Sequence, residues 1–256
     1  WKLPYDLINV TNEAIYNIEQ MNNVTPEHKE NCLGELKMLQ AYCYFLIVRA
    51  YGPCPIFEKS INQGENPHQP RRSIQEVYAH IIDLLTYAKD HLYKRGDSRL
   101  VQGRVCAAAA ATLLAKVYVT IGAASMPDGA IVYVKGGKPY TLAEDGKTKI
   151  LTNPQTLTIS KRQVDGYEVF DSETYYRLAL TLAEDVVLHK KYGSHDLLPY
   201  ATLWKQEGRT NEEHFFCYVG KSGDDLLGSL FPRWYSGQWA VCNWRYAHLG
   251  FARPLV

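Results

Sequence analysis

The sequence has little net charge and no long hydrophobic run, and both absences exclude classes of protein. Its 256 residues carry 28 basic and 27 acidic side chains, so the formal net charge is +1. Because no broad basic field is available to hold a polyanion, we expect no nucleic-acid partner. The longest apolar run, Ala41 to Val48, is far shorter than the roughly 18 residues that a membrane-spanning helix needs. We therefore expect no segment of this chain to cross a bilayer.

Cysteine is sparse, and its spacing matches no known framework. The six cysteines include no C-x-x-C pair and no Cys/His spacing of the zinc type. Cys32 and Cys43 lie about three turns apart on one predicted helix, so they cannot bond to each other. The sequence therefore predicts isolated core thiols rather than a disulfide framework, and no metal site.

Enzyme signatures are also missing. Gly220 to Ser222 resembles a phosphate-binding loop, but Phe215 stands where the pattern G-x-x-x-x-G-K-S requires its first glycine. Adjacent acidic residues in one loop do not set the opposed geometry that glycoside hydrolysis needs. We expect no catalytic residue and no cofactor, and we interpret the candidate acids and bases as solvated or structural groups: Glu76, His80, Asp83, Asp90, His91, Glu212 to His214, Asp224 and Asp225.

Helical periodicity covers most of the chain. Apolar residues recur at three- and four-residue intervals, which is typical of helices with one or two buried faces. Thr25 before Pro26 predicts one helix start, and Ser73 with Glu76 predicts a capping box at another. The predicted helices follow these stretches: Tyr5 to Ile18, Pro26 to Ala50, Ser73 to Leu92, Arg104 to Ile121 and Tyr175 to Val187.

The second of these helices carries an arginine at its predicted end. Arg49 is a cation facing the negative end of the helix dipole, an interaction worth about 0.3 to 1 kcal/mol, and its stem can lie along apolar surface. Gly52 is a natural left-handed cap, and Pro53 cannot continue the helix. We interpret this group of residues as a stop signal.

Paired helices of similar length with glycine stops predict an all-α, tetratricopeptide-like superhelix. Between Ser125 and Tyr167 the pattern changes to Gly, Pro and Thr with short alternating runs, which predicts a small β-hairpin insert around Gly136-Gly137. The expected divisions are a helical part, a β-rich insert, a continuation of the helical scaffold and a loop-rich aromatic segment: 1–124, 125–168, 169–219 and 220–256.

The last segment is crowded with aromatic rings. Its tryptophans fall five residues apart, which fits neither one helix face nor one strand face and so favours loops. An indole or phenol ring covers the flat C–H face of a sugar, while amide and guanidinium groups bond its hydroxyls. The alternative is that these rings cap the superhelix as a small second core. The candidate ligand-binding residues are Arg233, Trp234, Tyr235, Trp239, Asn243, Trp244 and Tyr246; we expect Trp1 and Trp204 to be packed.

Five stretches together resemble the SusD/RagB-like family of outer-membrane nutrient-binding lipoproteins. They contain an opening helix with Tyr, Ile and Asn, a G-E helix that ends in R-x-x-G-x-x-P, a P-R-x-S-x-x-E-x-Y segment, a G-R helix, and a final helix that leads to N-x-E-x-x-F. The stretches are YDLINVTNEAIYNI from Tyr5, LGELKMLQAYCYFLIVRAYGPCPIF from Leu33, PRRSIQEVYAHIIDLL from Pro70, GRVCAAAAATLLAKVYVTIG from Gly103, and the segment from Tyr175 to Val219.

The resemblance implies a helical scaffold that is tethered by lipid to the cell surface of the outer membrane. Such a protein captures an oligosaccharide, or in some relatives a peptide, and delivers it to a SusC-like TonB-dependent β-barrel transporter. No cysteine of this chain matches the lipid-bearing one, so we expect the anchor to lie upstream of Trp1 and the protein to continue past Val256. A helical glycoside hydrolase and a soluble tetratricopeptide scaffold remain as alternatives.

Overall fold

The computed structural model describes residues 2–101, 103–136, 140–153, 156–203 and 213–216. Within these ranges the chain is mainly helical, with one 3-10 turn at Ile61–Gln63 and four short strands. The helices are α1 Lys2–Glu19, α2 Pro26–Tyr51, α3 Ile74–His91, α4 Ala107–Ala124, α5 Ser172–Val187 and α6 Tyr200–Leu203. The strands are β1 Ile131–Lys135, β2 Tyr140–Leu142, β3 Lys149–Leu151 and β4 Thr156–Ser160.

Helices α1 to α5 pack in chain order, each against the next. Successive pairing of this kind builds a superhelix in which every helix is buried mainly by its neighbours. The largest fully buried side chains come from the first four helices, among them Ile8, Tyr44, Tyr78 and Leu114. The prediction of a mainly helical, tetratricopeptide-like fold is confirmed.

The predicted capping residues hold both ends of α2. The Thr25 side chain accepts a hydrogen bond from the His28 backbone N–H, and Pro26 occupies the first turn. At the other end, Gly52 has a φ of 70° with a ψ of −133°, and its N–H bonds the Val48 carbonyl. Arg49 lies in the last turn, donates to the Phe45 carbonyl and places its guanidinium 4.4 Å from the centre of the Phe45 ring. The positive φ explains the glycine, although its ψ lies outside the left-handed helical region.

Helix α4 is the most apolar element of the scaffold. Its first residues are alanines that are almost completely buried, which lets α3 and α5 approach closely. Among the described residues it is the one helix long and apolar enough, by length and composition, to cross a membrane, although polar residues interrupt its apolar runs. Because 56% of it is buried inside the fold, we interpret α4 as the core helix of the scaffold.

Two motifs of the sequence meet in one ion pair between α2 and the segment before α4. The Glu35 side chain, 11% exposed, accepts from Arg104 at 2.5 Å and from Asn31 Nδ2 at 3.1 Å. Asn31 Oδ1 in turn accepts from the Tyr93 backbone N–H at 2.8 Å. Next to this pair, a Cβ on Gly34 would lie 3.1 Å from Leu92 Cγ. The G-E and G-R patterns therefore join α2 and the chain after α3 to the segment before α4.

A second polar network holds the extended chain after α2 against α1 through hydrogen bonds. Tyr5 of α1 donates to the Pro55 carbonyl, and Asn12 Nδ2 donates to the carbonyls of Phe57 and Lys59 at 2.9 and 3.0 Å. The Asn12 side chain also accepts from Gln40 of α2. The tyrosine and asparagine of the opening helix thus hold the connection between α2 and α3 along α1.

The predicted β insert forms, but with a different pairing from the one expected. Strand β1 pairs antiparallel with β4, and β2 pairs antiparallel with β3, in two separate two-stranded sheets. We call these two strand pairs the ribbon. The inner pair turns at 143–148, and β1 does not pair with β2 across Gly136-Gly137. The Asp145 carboxylate caps this turn by accepting from the N–H groups of Lys147 and Thr148. The expectation of a hairpin centred on the glycine pair is wrong, because the Asp145-Gly146 step is the stronger local turn signal.

The cysteines that the structure describes are free thiols: Cys32, Cys43, Cys54 and Cys106. Three of them are buried in the core, and burial raises the pKa of Cys43 to about 11. A thiol with a raised pKa carries little thiolate and is a weak nucleophile. The prediction of isolated core thiols is confirmed for Cys43, Cys54 and Cys106, whereas Cys32 is a free thiol that is only partly buried.

Candidate functional site

The candidate ligand-binding residues lie outside the described residues. This applies to Arg233, Trp234, Tyr235, Trp239, Asn243, Trp244 and Tyr246, and also to Trp1 and Trp204. What the structure does show is the scaffold surface where the chain leads toward that segment, at residues 213–216.

Residues 213–216 pack back onto the helices of the scaffold. The Phe216 ring lies 5.6 Å from the Tyr42 ring of α2, edge to face, and remains 46% exposed. Arg95, in the connection between α3 and α4, donates to the His214 carbonyl at 2.9 Å. The Glu213 carboxylate accepts from the Leu198 backbone N–H at 2.7 Å. The glutamate and the phenylalanine of the N-x-E-x-x-F pattern are therefore structural, as we expected.

A buried histidine, His195, contacts residues 213–216 through Phe215. His195 is 8% exposed, its Nδ1 lies 3.1 Å from the Gly193 carbonyl, and its ring meets Phe215 at 4.7 Å. Its Nε2 is the one buried side-chain polar atom without a hydrogen-bond partner among the described residues. The neighbouring backbone is tight, since a Cβ on Gly193 would lie 2.2 Å from the Arg95 carbonyl oxygen. Sequence reasoning missed this histidine, because a single His without spaced partners gives no signal.

The polar groups on α3 do not form a reactive constellation. Glu76 closes the capping box with Ser73, and the hydrogen bonds from Ser73 hold the pKa of its carboxyl below the usual range. His80 packs edge-on against Tyr44 at 5.0 Å, and burial lowers its pKa. A histidine held neutral against an aromatic core residue is better suited to packing than to proton transfer.

Tyr87 carries a flat ring of the kind that binds sugars, but two side chains already lie against it. The Lys37 ammonium lies 4.5 Å from the ring centre, and the His91 ring stacks on Tyr87 at 4.0 Å with an interplanar angle of 14°. The Tyr87 ring is therefore already engaged by neighbouring side chains of the scaffold.

In the part of the chain that the structure describes, no cluster of three or more His, Cys, Asp or Glu side chains could hold a metal ion. Several surface carboxylates instead have cationic or backbone partners, as with Asp97, whose pKa the hydrogen bonds from Arg99 lower to about 2. The described scaffold thus offers packing and ion pairs but no assembled reaction centre.

Comparison with known proteins finds a family match over the N-terminal part of the chain. Residues 1–119 match the SusD-like family model described as "Starch-binding associating with outer membrane". A SusD-like protein of Bacteroides ovatus is 30% identical over 121 residues, which cover 46% of this chain and 21% of that protein. SusD-like protein P2 of Formosa agariphila is 31% identical over 124 residues, covering 48% of this chain and 24% of that protein. The chain thus matches about a fifth to a quarter of these relatives' length.

Solved structures show the same fold over a longer stretch. A SusD superfamily protein of Bacteroides vulgatus has a TM-score of 0.59 at 17% identity and covers 89% of this chain and 37% of its own. A crystal structure with xylogluco-oligosaccharide has a TM-score of 0.58 at 22% identity, with coverages of 86% and 35%. The resemblance seen in the sequence is confirmed as a match: residues 1–119 match the SusD-like family model, and the scaffold shares its fold with these solved structures.

Proposed function

We propose that this protein captures an oligosaccharide at the cell surface and delivers it to a TonB-dependent transporter of the outer membrane. The observation that carries the proposal is the family match of residues 1–119, whose description names both starch binding and the outer membrane. A protein of the same fold that was crystallised with a xylogluco-oligosaccharide supports a glycan as the cargo.

The chemistry of the chain favours capture over catalysis. Glu76 caps a helix, Glu213 accepts from backbone and Asp97 pairs with Arg99, so these acids are engaged in holding the fold. The aromatic and amide residues at 233–246 supply what sugar recognition needs, namely ring faces for C–H groups and polar groups for hydroxyls. Capture on such a surface requires no bond to be broken.

A screen of purified protein against oligosaccharides and peptides, followed by calorimetry on the hits, tests the cargo. We expect saturable binding of at least one oligosaccharide class. Saturable binding of peptides with no glycan binding would replace this proposal with peptide capture by the same family. Release of reducing ends from a bound polysaccharide would replace it with glycoside hydrolysis.

The transporter and the lipid anchor need a separate experiment. Affinity purification of the full-length protein from detergent-solubilised outer membranes should recover a TonB-dependent β-barrel, and mass spectrometry should detect a lipid-modified N-terminus. Recovery of an unmodified protein from the cytosol would instead support a soluble tetratricopeptide scaffold.

A further inference from the structure

A histidine and a cysteine contact each other on the first two turns of α2. His28 and Cys32 stand four residues apart, so their side chains lie on the same face of the helix. The His28 Nε2 and Cys32 Sγ atoms are 3.7 Å apart. His28 is exposed and Cys32 is partly buried, so the pair is open to solvent from the outside of the scaffold.

The separation of these two atoms matches that of two ligands on one tetrahedral metal ion. Zinc binds sulfur at about 2.3 Å and imidazole nitrogen at about 2.0 to 2.1 Å. Two bonds of these lengths at the tetrahedral angle of about 109° place sulfur and nitrogen roughly 3.6 Å apart. A single ion therefore reaches both Nε2 and Sγ after only a small rotation of the exposed His28 ring.

Tyr93 holds the histidine in the form that a metal ligand needs. The Tyr93 hydroxyl lies 3.2 Å from His28 Nδ1, and the two rings stack with their centres 6.3 Å apart. Tyr93 itself is 6% exposed, and its backbone N–H donates to Asn31. When Nδ1 carries the proton and donates to this hydroxyl, Nε2 presents its lone pair to Cys32. A hydrogen bond at the second ring nitrogen orients metal-bound histidines in this way.

The surroundings of the thiol favour metal binding over covalent chemistry. Burial and the Glu35 carboxylate raise the pKa of Cys32, and a protonated thiol is a weak nucleophile. A metal ion instead displaces the thiol proton and pairs with the thiolate. No third His, Cys, Asp or Glu side chain of the described residues completes the site, since Glu35 is bonded to Arg104. The remaining metal positions are therefore open to water or an external ligand.

We propose that His28 and Cys32 bind one transition-metal ion of the zinc type, with Tyr93 as the positioning residue. Thiolate and imidazole ligands select zinc and similar ions over Mg²⁺ and Ca²⁺. The inference is independent of the proposed cargo. The usual sequence signal for zinc is two ligand pairs, and only one pair is present here, so the sequence pattern alone does not predict this site.

Titration of Co²⁺ into the reduced 256-residue chain tests this directly, because Co²⁺ replaces zinc and gives a sulfur-to-metal charge-transfer band when a thiolate binds it. We expect a saturable band that Zn²⁺ abolishes by competition and that Mg²⁺ leaves unchanged. Cys32→Ser should remove the band, and His28→Ala should weaken Zn²⁺ binding by roughly tenfold or more. Absence of the band from the unaltered chain, or a band of equal strength in Cys32→Ser, would overturn the proposal.

The matched control for His28→Ala is His189→Ala. His189 is also exposed, but the side chain four residues before it is the Asp185 carboxylate, 3.2 Å from Nδ1, rather than a thiol. This control should leave Co²⁺ and Zn²⁺ binding unchanged, and equal losses in the two histidine variants would contradict the assignment. Tyr93→Phe keeps the ring but removes the hydroxyl, so it should weaken Zn²⁺ binding roughly tenfold with unchanged helix content by circular dichroism. Full affinity in Tyr93→Phe would overturn the positioning role of Tyr93.

Discussion

Replacing Arg104 with alanine should destabilise the scaffold far more than replacing an exposed arginine that makes an ion pair of the same length. Arg104 and Arg177 each lie 2.5 Å from a glutamate oxygen. The Glu35 side chain is 11% exposed, whereas both partners of the Arg177 pair are more than 70% exposed. Burial of the carboxylate is the property that separates the two sites.

The magnitude follows from that difference. Removing one partner of a buried ion pair costs about 3 to 5 kcal/mol, because the remaining charge is left in a poor solvent. Arg104 itself is 54% exposed and Asn31 still donates to Glu35, so we reduce the expected cost to about 2 to 3 kcal/mol. For Arg177→Ala an exposed pair predicts a loss under about 1 kcal/mol.

Urea unfolding, followed by circular dichroism at the helical band, measures the free energy of unfolding of both variants. For a chain of this size the Arg104→Ala loss corresponds to a Tm lower by roughly 5 to 10 °C. Adding Glu35→Gln to Arg104→Ala should recover part of the stability, since no buried charge then lacks its partner. Equal losses for the two arginine variants, or no recovery in the double variant, would refute the reasoning.

Three further predictions concern the backbone and the insert. Gly193→Ala should lower the free energy of unfolding by about 2 kcal/mol or more, because its Cβ would lie 2.2 Å from the Arg95 carbonyl oxygen. The control is Gly64→Ala, where the space is open and a loss of about 1 kcal/mol is expected. Thermal unfolding of the two variants measures the difference. Hydrogen bonds from the Thr148 hydroxyl and from the Thr148 and Lys147 N–H groups lower the Asp145 pKa to about 2, so the turn is held above pH 4 and is lost as pH falls through about 2. An NMR titration midpoint near 3.8, the ordinary pKa of an aspartate, would contradict this. Replacing residues 131–160 with a short Gly-Ser linker should leave helix content and the unfolding midpoint nearly unchanged, since the ribbon is exposed on both faces. Circular dichroism measures both quantities. A large loss of unfolding cooperativity would show that the ribbon supports the core.

The sequence predicts the helices well because their signals are local. The capping box at Ser73 and the proline start at Pro26 act within one turn, so no knowledge of distant residues is needed. The ribbon pairing is different, because β1 and β4 are separated by the whole turn region. Register between distant strands depends on contacts that local turn signals do not determine.

Polar contacts between residues that are distant in the sequence could not be predicted from local patterns either. Glu35 and Arg104 were each visible as part of a motif, but the sequence alone does not show that they form one ion pair. His195 gave no pattern at all, and its buried Nε2 is known only from the structure. The aromatic site at 233–246 stays a prediction from residue chemistry.

Calorimetric titration of oligosaccharide into the full chain, with and without Trp234→Ala, Trp239→Ala and Trp244→Ala together, tests the central claim most directly. Circular dichroism on the same samples reports whether the scaffold is intact, and Tyr133→Ala, which removes a 71% exposed ring from the ribbon, is the control. The account predicts that the triple variant loses binding by at least tenfold with unchanged helix content, while the control binds normally. Undiminished binding by the triple variant would contradict it, as would a loss of helix content that accompanies the loss of binding.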